Sequence, residues 1–334
     1  MSERKKIHLK FANGLSFESG VREILDVVAS EYEFIEDDRP DFVVFGPYGG
    51  HIPEGPFTRI GYFCENMKPD MAVCDWAFGT RYEEEVNDPR YMRIQWLGFD
   101  PSSLVKNQTN VDEVIRKKTR FCNFVYSNRV PFREKFCAEL SRYKSVDAPG
   151  KSMNNMASIE STNGTRGDMW QRKRAFLSQY KFTIAFENSS YPGYHTEKIL
   201  DPMMVDSLPI YWGNPCIDRH FNTRSFVNTH EHLETNDSRL VEFLEANSQR
   251  EFSDAQTAGV GAIRFKVKRR LKYVGQAVKT RLQYDATFDQ LIERIIEIDR
   301  DESLYARYLA EPWFEDNQTP SNEHVVQRWR EIFG

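Results

Sequence analysis

Hydrophobic and polar positions along the chain follow two alternating periods. Short runs rich in Val, Ile, Phe and Tyr occupy 7–11, 41–45, 59–64 and 91–96, each bounded by Gly, Pro or Asn, and they read as strands. Between the first two, Val21, Leu25 and Val28 fall at helical spacing, with Ser19 or Gly20 placed to begin that helix. The second half repeats the rhythm with a strand at 121–127, an amphipathic helix over 131–143 opened by Pro131, and strands at 182–186 and 208–212. Strand, helix, strand in this order implies parallel pairing, so the expected class is layered α/β. A chain of 334 residues exceeds one ordinary core, so two domains are expected, with 97–119 as the hinge between them. Residues 151–168, rich in Asn, Ser, Thr and Gly, read as a long functional loop.

Composition narrows the classes of function. A net charge of -5 argues against nucleic acid as the main partner, because phosphate binding wants a basic balance. The start MSERKKIHLKFANG has no apolar run behind its charges, and no stretch reaches membrane-spanning length, so a cytoplasmic protein is expected. Cys64, Cys74, Cys122, Cys137 and Cys216 are scattered without metal-ligand spacing and are expected as reduced thiols. The sequons at Asn107 and Asn163 are then chance matches.

One segment departs from the acidic balance. Over 263–282 stand Arg264, Lys266, Lys268, Arg269, Arg270, Lys272, Lys279 and Arg281 with no acidic residue, while Val267, Leu271, Val274, Val278 and Leu282 form one helical stripe. Such a helix either lies peripherally on an anionic membrane surface or packs its stripe on the protein body. Both readings stay open at this level.

The text FENSSYPGYHTEKILDPMMVDSLPIYWGNP, from Phe186 to Pro215, carries the candidate chemistry. A strand runs into a polar loop containing Gly193, and a helix begins near Thr196. Open α/β sheets bind ligands at that junction, and helix starts attract phosphate. Lys198 in the first helical turn opposes the helix dipole unless an anion sits there; a solvated surface lysine is the plainer alternative. Asn188 and Tyr194 are placed by the same loop to add hydrogen bonds. Arg133, at the start of the preceding helix, repeats the pattern, and its fork suits phosphate oxygens.

FENSSYPGYHTEK…LPIYWGNP resembles the signature of the α-1,3/1,4-fucosyltransferases, glycosyltransferase family ten, which read FENS, then GYVTEK, then a Pro-Ile/Val-Tyr-x-Gly strand. SFVNTHEH, SNRVPFREKFCAELSRYKSVDAPGK and RIGYFCENMKPDMAVCDWAFG are similar to further blocks of that family, extending the match from about Arg59 to His232. The resemblance implies a GT-B architecture, two Rossmann-like domains facing a cleft. It implies an acceptor domain over 1–117, with a helix at 320–334 packing back on it, and a GDP-sugar domain over 118–319. It further implies inverting transfer of L-fucose from GDP-L-fucose to an oligosaccharide hydroxyl, such as O3 of N-acetylglucosamine. By motif position, Arg133 and Lys198 correspond to pyrophosphate ligands, Asn188, Tyr194 and Glu197 to donor-site residues, and Glu65 to the catalytic base.

The chemistry of those residue types fits. Single displacement with inversion needs a carboxylate able to take the acceptor proton, and fixed cations can stabilise a departing diphosphate. No Asp-x-Asp stands near the site, so no obligatory metal is expected, a divalent ion at most stimulating. Transfer from another nucleotide sugar, and non-catalytic binding of a sugar nucleotide or glycan, are the alternatives. Three positions depart from the family text. His195 replaces an apolar residue, Asp70 an Asn, and Pro202 follows Thr-Glu-Lys closely enough that the helix is expected to restart with Asp201 as cap.

Overall fold

A computed structural model of the chain describes residues 4–48, 51–95, 100–107, 110–161, 168–235, 238–248, 250–251, 262–284 and 287–334. The first sheet is built from β1 (Lys5–Ala12), β2 (Tyr32–Glu36), β3 (Phe42–Phe45), β4 (Thr58–Phe63), β6 (Trp76–Gly79) and β7 (Tyr91–Arg93); β5 (Met67–Lys68) lies outside it. Its order is β2-β1-β3-β4-β6-β7, and every pairing is parallel. The second sheet comprises β8 (Arg120–Asn123), β9 (Val146–Asp147), β10 (Tyr180–Phe186), β11 (Leu208–Trp212) and β12 (Val227–Asn228), in the order β12-β11-β10-β8-β9, again all parallel. Two parallel-sheet domains with helical crossovers are the doubly wound α/β class.

Parallel sheets bury both faces, so their strands read as continuous apolar runs rather than alternating ones. All of β11 is buried, and so is β10 except Lys181. The strands Tyr32–Glu36 and Trp76–Gly79 escape the sequence pattern because each is short and interrupted by charged or small residues. The strand expected at 91–96 pairs only as far as Arg93, and Trp96 lies outside the described residues. The first helix runs Phe17–Glu23 with Ser16 as its cap, accepting from the Ser19 amide; Gly20 sits inside the helix, and Val28 belongs to a separate 3-10 turn.

The expected hinge is not an open linker. Its described part holds the 3-10 turn Pro101–Leu104 and the helix Val111–Lys117, and Leu104, Val111, Val114 and Ile115 all pack into cores of the second domain. Apolar side chains at those spacings bury wherever a sheet face offers itself, which moves the start of the second core ahead of residue 118. At the far end the chain crosses back. The helix Glu323–Phe333 places Trp329, Ile332 and Phe333 in the first core, Trp329 stacking on Phe78 at 4.6 Å. Met67 and Lys68 in turn pair with β13 (Arg250–Glu251), a second tie between the halves.

Trp329→Ala is expected to destabilise the protein by roughly 3–5 kcal/mol, the usual scale for emptying a buried aromatic site. Urea denaturation followed by intrinsic fluorescence measures it, and an unchanged midpoint would detach the last helix from the first core.

Candidate functional site: the interdomain cleft

In the second sheet, β8 and β10 are neighbours, with β9 lying beyond β8 and β11 beyond β10. Strand order reverses at β8/β10, so the loops leaving their carboxyl ends splay apart and open a crevice. Those loops supply Asn128, Arg129 and Val130 after β8, and Asn188, Ser189 and Tyr194 after β10. Across the cleft, Glu65 and Asn66 follow the carboxyl end of β4. Together they line one chamber of about 730 Å³, closed on its third side by Arg270, Tyr273 and Gln276. A second chamber of about 560 Å³ shares Val130, Asn188, Ser189, Tyr273 and Gln276 and continues into an aromatic wall that includes Phe132, Trp212 and Tyr284. The buried indole N–H of Trp212 has no hydrogen-bond partner among the described residues.

The shape of the loop after β10 follows from one buried acid. Glu187, fully buried, ends an otherwise apolar strand, and its carboxylate accepts from the Thr196 amide at 2.8 Å and the Thr196 hydroxyl at 2.9 Å. Lys198 Nζ lies 3.1 Å from Glu187, 3.3 Å from Glu197 and 2.9 Å from Thr196 Oγ1. Burial alone would lower the Lys198 ammonium; the carboxylates of Glu187 and Glu197 outweigh it and hold the pKa well above its ordinary value. Lys198 therefore stays charged. The helix behind it runs unbroken over Glu197–Met203, with Thr196 as cap. The restart expected at Asp201 does not occur. Pro202 sits in the last turn, where the only amide bond it forgoes is the one to the Lys198 carbonyl.

The six expected site residues separate into two groups. Glu65, Asn188 and Tyr194 line the first chamber, and the Glu65 carboxylate accepts from the Tyr48 hydroxyl at 2.5 Å. Arg133, Lys198 and Glu197 line neither chamber. Arg133 is fully buried. It donates to the Phe186 and Asn128 carbonyls at 3.2 and 2.7 Å and to Asn188 Oδ1 at 3.2 Å, with its guanidinium 3.5 Å over the Tyr126 ring. A cation that leaves water needs acceptors at once, and carbonyls and carboxylates of the protein provide them. The two expected phosphate cations thus stand one layer behind the chamber wall, Arg133 a single hydrogen bond behind Asn188.

Sequence reasoning passed over several residues that build this site. Glu187 carried a signal, an acid closing a strand that is apolar but for Lys181 and Thr183. Arg129 and Arg270, the cations that do line the first chamber, carried none beyond their charge. The seam between the domains was also missed. Asn66 Nδ2 donates to Ser189 Oγ at 2.8 Å, and buried Arg93 donates to the Gly193 carbonyl at 3.0 Å and the Thr80 carbonyl at 3.2 Å. Gly193 has φ +80°, and a Cβ there would stand 2.4 Å from the Thr80 oxygen, so only glycine lets the two loops meet. His195 turns into this seam, buried, 5.1 Å from the His220 ring, and His220 Nε2 pairs with the Tyr82 hydroxyl at 2.9 Å. Among the described residues no group of three or more His, Cys, Asp or Glu could hold a metal ion.

Two facing parallel-sheet domains, with loops from the carboxyl ends of both sheets converging on one cleft, define the GT-B architecture of nucleotide-sugar transferases. Two family models match this chain: glycosyltransferase family 10 (fucosyltransferase) C-term over residues 115–252, and the alpha-(1,3)-fucosyltransferase FucT N-terminal domain over residues 9–99. The chain belongs to glycosyltransferase family 10. The alpha-(1,3)-fucosyltransferase FucT of Helicobacter pylori is 40% identical over 208 residues, covering 52% of this chain and 41% of that protein. Alpha-(1,3)-fucosyltransferase B of Drosophila melanogaster is 36% identical over 117 residues, 34% of this chain and 26% of that protein. The chain therefore spans less than half the length of these curated relatives. A crystal structure of an alpha1,3-fucosyltransferase with GDP aligns over 99% of this chain and 91% of that one, with TM-score 0.65 and 21% identity, a likeness of fold.

The buried histidines make the seam sensitive to acid. Burial pushes the His220 pKa down to about 3 and holds that of His195 well below its ordinary value, with the Arg93 charge adding to both. Their folded pKa values lie below the unfolded value near 6.5, so the unfolded chain binds more protons below that pH. The stability tied to the neutral rings is complete above about pH 6.5 and drains as pH falls toward 3. Urea midpoints measured from pH 7 to 4 should fall, and less steeply in His220→Gln; equal slopes in parent and variant would remove this ring from the acid response.

Proposed function

We propose that this protein is an inverting fucosyltransferase that uses GDP-L-fucose and acts on an oligosaccharide hydroxyl, with O3 of N-acetylglucosamine the acceptor position named by the family resemblance. One observation carries the reading: Glu65 of the first domain and Asn188, Ser189 and Tyr194 of the second line one chamber, with Asn66 and Ser189 hydrogen-bonded across it. Membership of family 10 supports the donor class, and an alpha1,3-fucosyltransferase of the same fold has been solved with GDP-fucose.

In this reading the acceptor hydroxyl gives its proton to the Glu65 carboxylate as its oxygen attacks the anomeric carbon. The bond to the diphosphate breaks on the opposite face, which inverts the configuration. Negative charge near an oxocarbenium-like carbon also lowers the barrier, as in glycoside hydrolysis. The diphosphate leaves against positive charge, with Arg133 supplying a fixed field from behind Asn188 while Lys198 offsets the charge of Glu187 and Glu197. No protein-bound metal enters this scheme; Arg and Lys take the part that a cation plays in metal-dependent relatives of the chemistry. Tyr48, donating to Glu65, holds the base in place.

Glu65→Gln keeps the shape of the side chain and removes the base. Transfer is expected to fall by roughly a hundredfold or more, with GDP affinity and melting temperature nearly unchanged. Transfer assays beside GDP titrations check this, and near-parental transfer would remove Glu65 from the mechanism. Equal loss of transfer and of GDP affinity would mark a structural carboxylate instead.

A surface role for the basic helix rests on a separate observation. In the helix Ala262–Gln283 the stripe Val267, Leu271, Val274 and Val278 is 42–66% exposed and points away from the protein body. The helix instead packs through Gly275 and Lys279 on the helix Arg239–Ser248, where a Cβ at Gly275 would stand 2.3 Å from Ser248 Oγ and Lys279 Nζ lies 3.5 Å from Glu245. Lys272 and Lys279 turn inward, Lys268, Arg270 and Arg281 remain exposed, and the side chains of Arg264, Lys266 and Arg269 lie outside the described residues. An apolar stripe flanked by exposed cations fits peripheral contact with an anionic bilayer. No helix among the described residues is long and apolar enough to cross a membrane. Leu271→Ser with Val278→Ser should reduce sedimentation with phosphatidylserine-containing vesicles severalfold; equal sedimentation of parent and variant would end this reading.

A further inference from the structure

The helix Ala262–Gln283 has a second side. Arg270, Tyr273, Gln276, Thr280 and Arg281 line the two chambers, so this helix is a wall of the cleft although it lies beyond the residues that either family model matches. It is fastened to the loop after β10. Lys279 Nζ, itself buried, donates to the Ser190 carbonyl at 3.0 Å and lies 4.5 Å over the Tyr191 ring, and the Tyr284 hydroxyl reaches Ser190 Oγ at 3.3 Å. A buried ammonium whose hydrogen bond goes to a loop carbonyl holds that loop and helix in one register.

The two chambers together suit an elongated ligand with an aromatic end and an anionic middle. The aromatic chamber offers the rings of Phe132, Trp212 and Tyr284 for a base and ribose. The other holds Glu65. Any ligand spanning both must pass the wall they share, Val130, Asn188, Ser189, Tyr273 and Gln276. Arg270 precedes Tyr273 by one helical turn and lines the chamber that holds Glu65. Arg129 stands next to Val130 in the same chamber; it is largely exposed, and among the described residues it is engaged through Nε alone, by Glu134 at 3.0 Å. Arg133 and Lys198, by contrast, bond to acceptors inside the protein, the buried Arg133 Nε alone of these having no partner among the described residues.

We propose that Arg270 is a donor-binding residue: it grips the diphosphate of the nucleotide sugar from the open side of the cleft, alongside Arg129, with Arg133 and Lys198 behind the wall. This rests on the nucleotide-sugar reading above and adds a residue from outside the family motifs. A guanidinium fork matches two phosphate oxygens in a way an ammonium does not. The same helix then carries the exposed stripe on one side and a donor contact on the other.

Calorimetric titration of GDP into the parent, Arg270→Gln and Arg270→Lys, at low and high salt, tests it. Arg270→Gln should bind GDP ten- to a hundredfold more weakly, with a shallower salt dependence because one ionic contact is gone. Arg270→Lys should recover part of the loss and most of the salt slope. Arg270 is exposed, so melting temperatures should agree within a few degrees. Parental GDP affinity in Arg270→Gln would overturn the assignment, and with a raised KM for acceptor it would move Arg270 to the acceptor side. A loss with unchanged salt slope would mean a displaced helix, which also overturns it. A parent that binds no GDP at all would remove the nucleotide reading, and this inference with it.

Discussion

A carboxylate buried at the end of an apolar strand must be neutralised where it stands, and Glu187 sets that constraint. Its oxygens take the amide and hydroxyl of Thr196 and the ammonium of Lys198, which closes the loop between residues 187 and 196 onto itself. The loop's remaining polar groups then have one way to point. Asn188, Ser189 and Tyr194 face the cleft, Gly193 meets the first domain, and the helix from Glu197 begins at a capped threonine. Removing either partner from such a buried pair leaves an uncompensated charge, and the loop would have no other reason to hold its course.

The second consequence is the seam. Because the loop is closed from within, it can serve as a rigid surface for the other domain to dock on. Arg93 reaches Gly193, Tyr82 reaches His220, and Asn66 reaches Ser189, so the partners of one domain's polar groups lie in the other. Glu65 comes from the segment just before Asn66. Its distance to the second-domain residues is therefore set by bonds across the cleft floor rather than by either sheet alone. Geometry of this kind is what general-base chemistry demands, since misplacement by an ångström is costly.

The helix Ala262–Gln283 shows how one amphipathic element can serve two surroundings. Its apolar stripe faces outward, its inward Lys279 holds a neighbouring helix and the loop after β10, and its third face walls the cleft. Hydrophobic patterning alone assigns such a stripe to the protein interior. Here the interior of the second domain is already taken by side chains from its sheet and the helices Asp289–Arg300 and Glu302–Ala310, and the stripe is left over.

How much of this was legible depends on the range of the interaction concerned. Strands such as Tyr180–Phe186 and Leu208–Trp212 announce themselves because burial on both faces leaves mostly apolar text. The blocks around Asn188 and Tyr194 are legible because tight turns and helix starts limit which residues can stand there. Glu65 could be named as a base only through family likeness; nothing local to Cys64-Glu65-Asn66 says what lies across from it. What the chain alone determined was its class, two parallel-sheet domains with ligand loops at strand ends, since these follow from periodicity and turn chemistry within a few residues. Tertiary structure alone decided which charges face the cleft. Arg133 and Lys198 were captured by carbonyls and carboxylates that folding brings against them, and Arg129 and Arg270 were left at the wall. Whether a cation is buried or presented depends on the acceptors folding brings against it: Phe186 and Asn188 for Arg133 are distant in sequence, and Glu187 reaches Lys198 only once the loop between them closes.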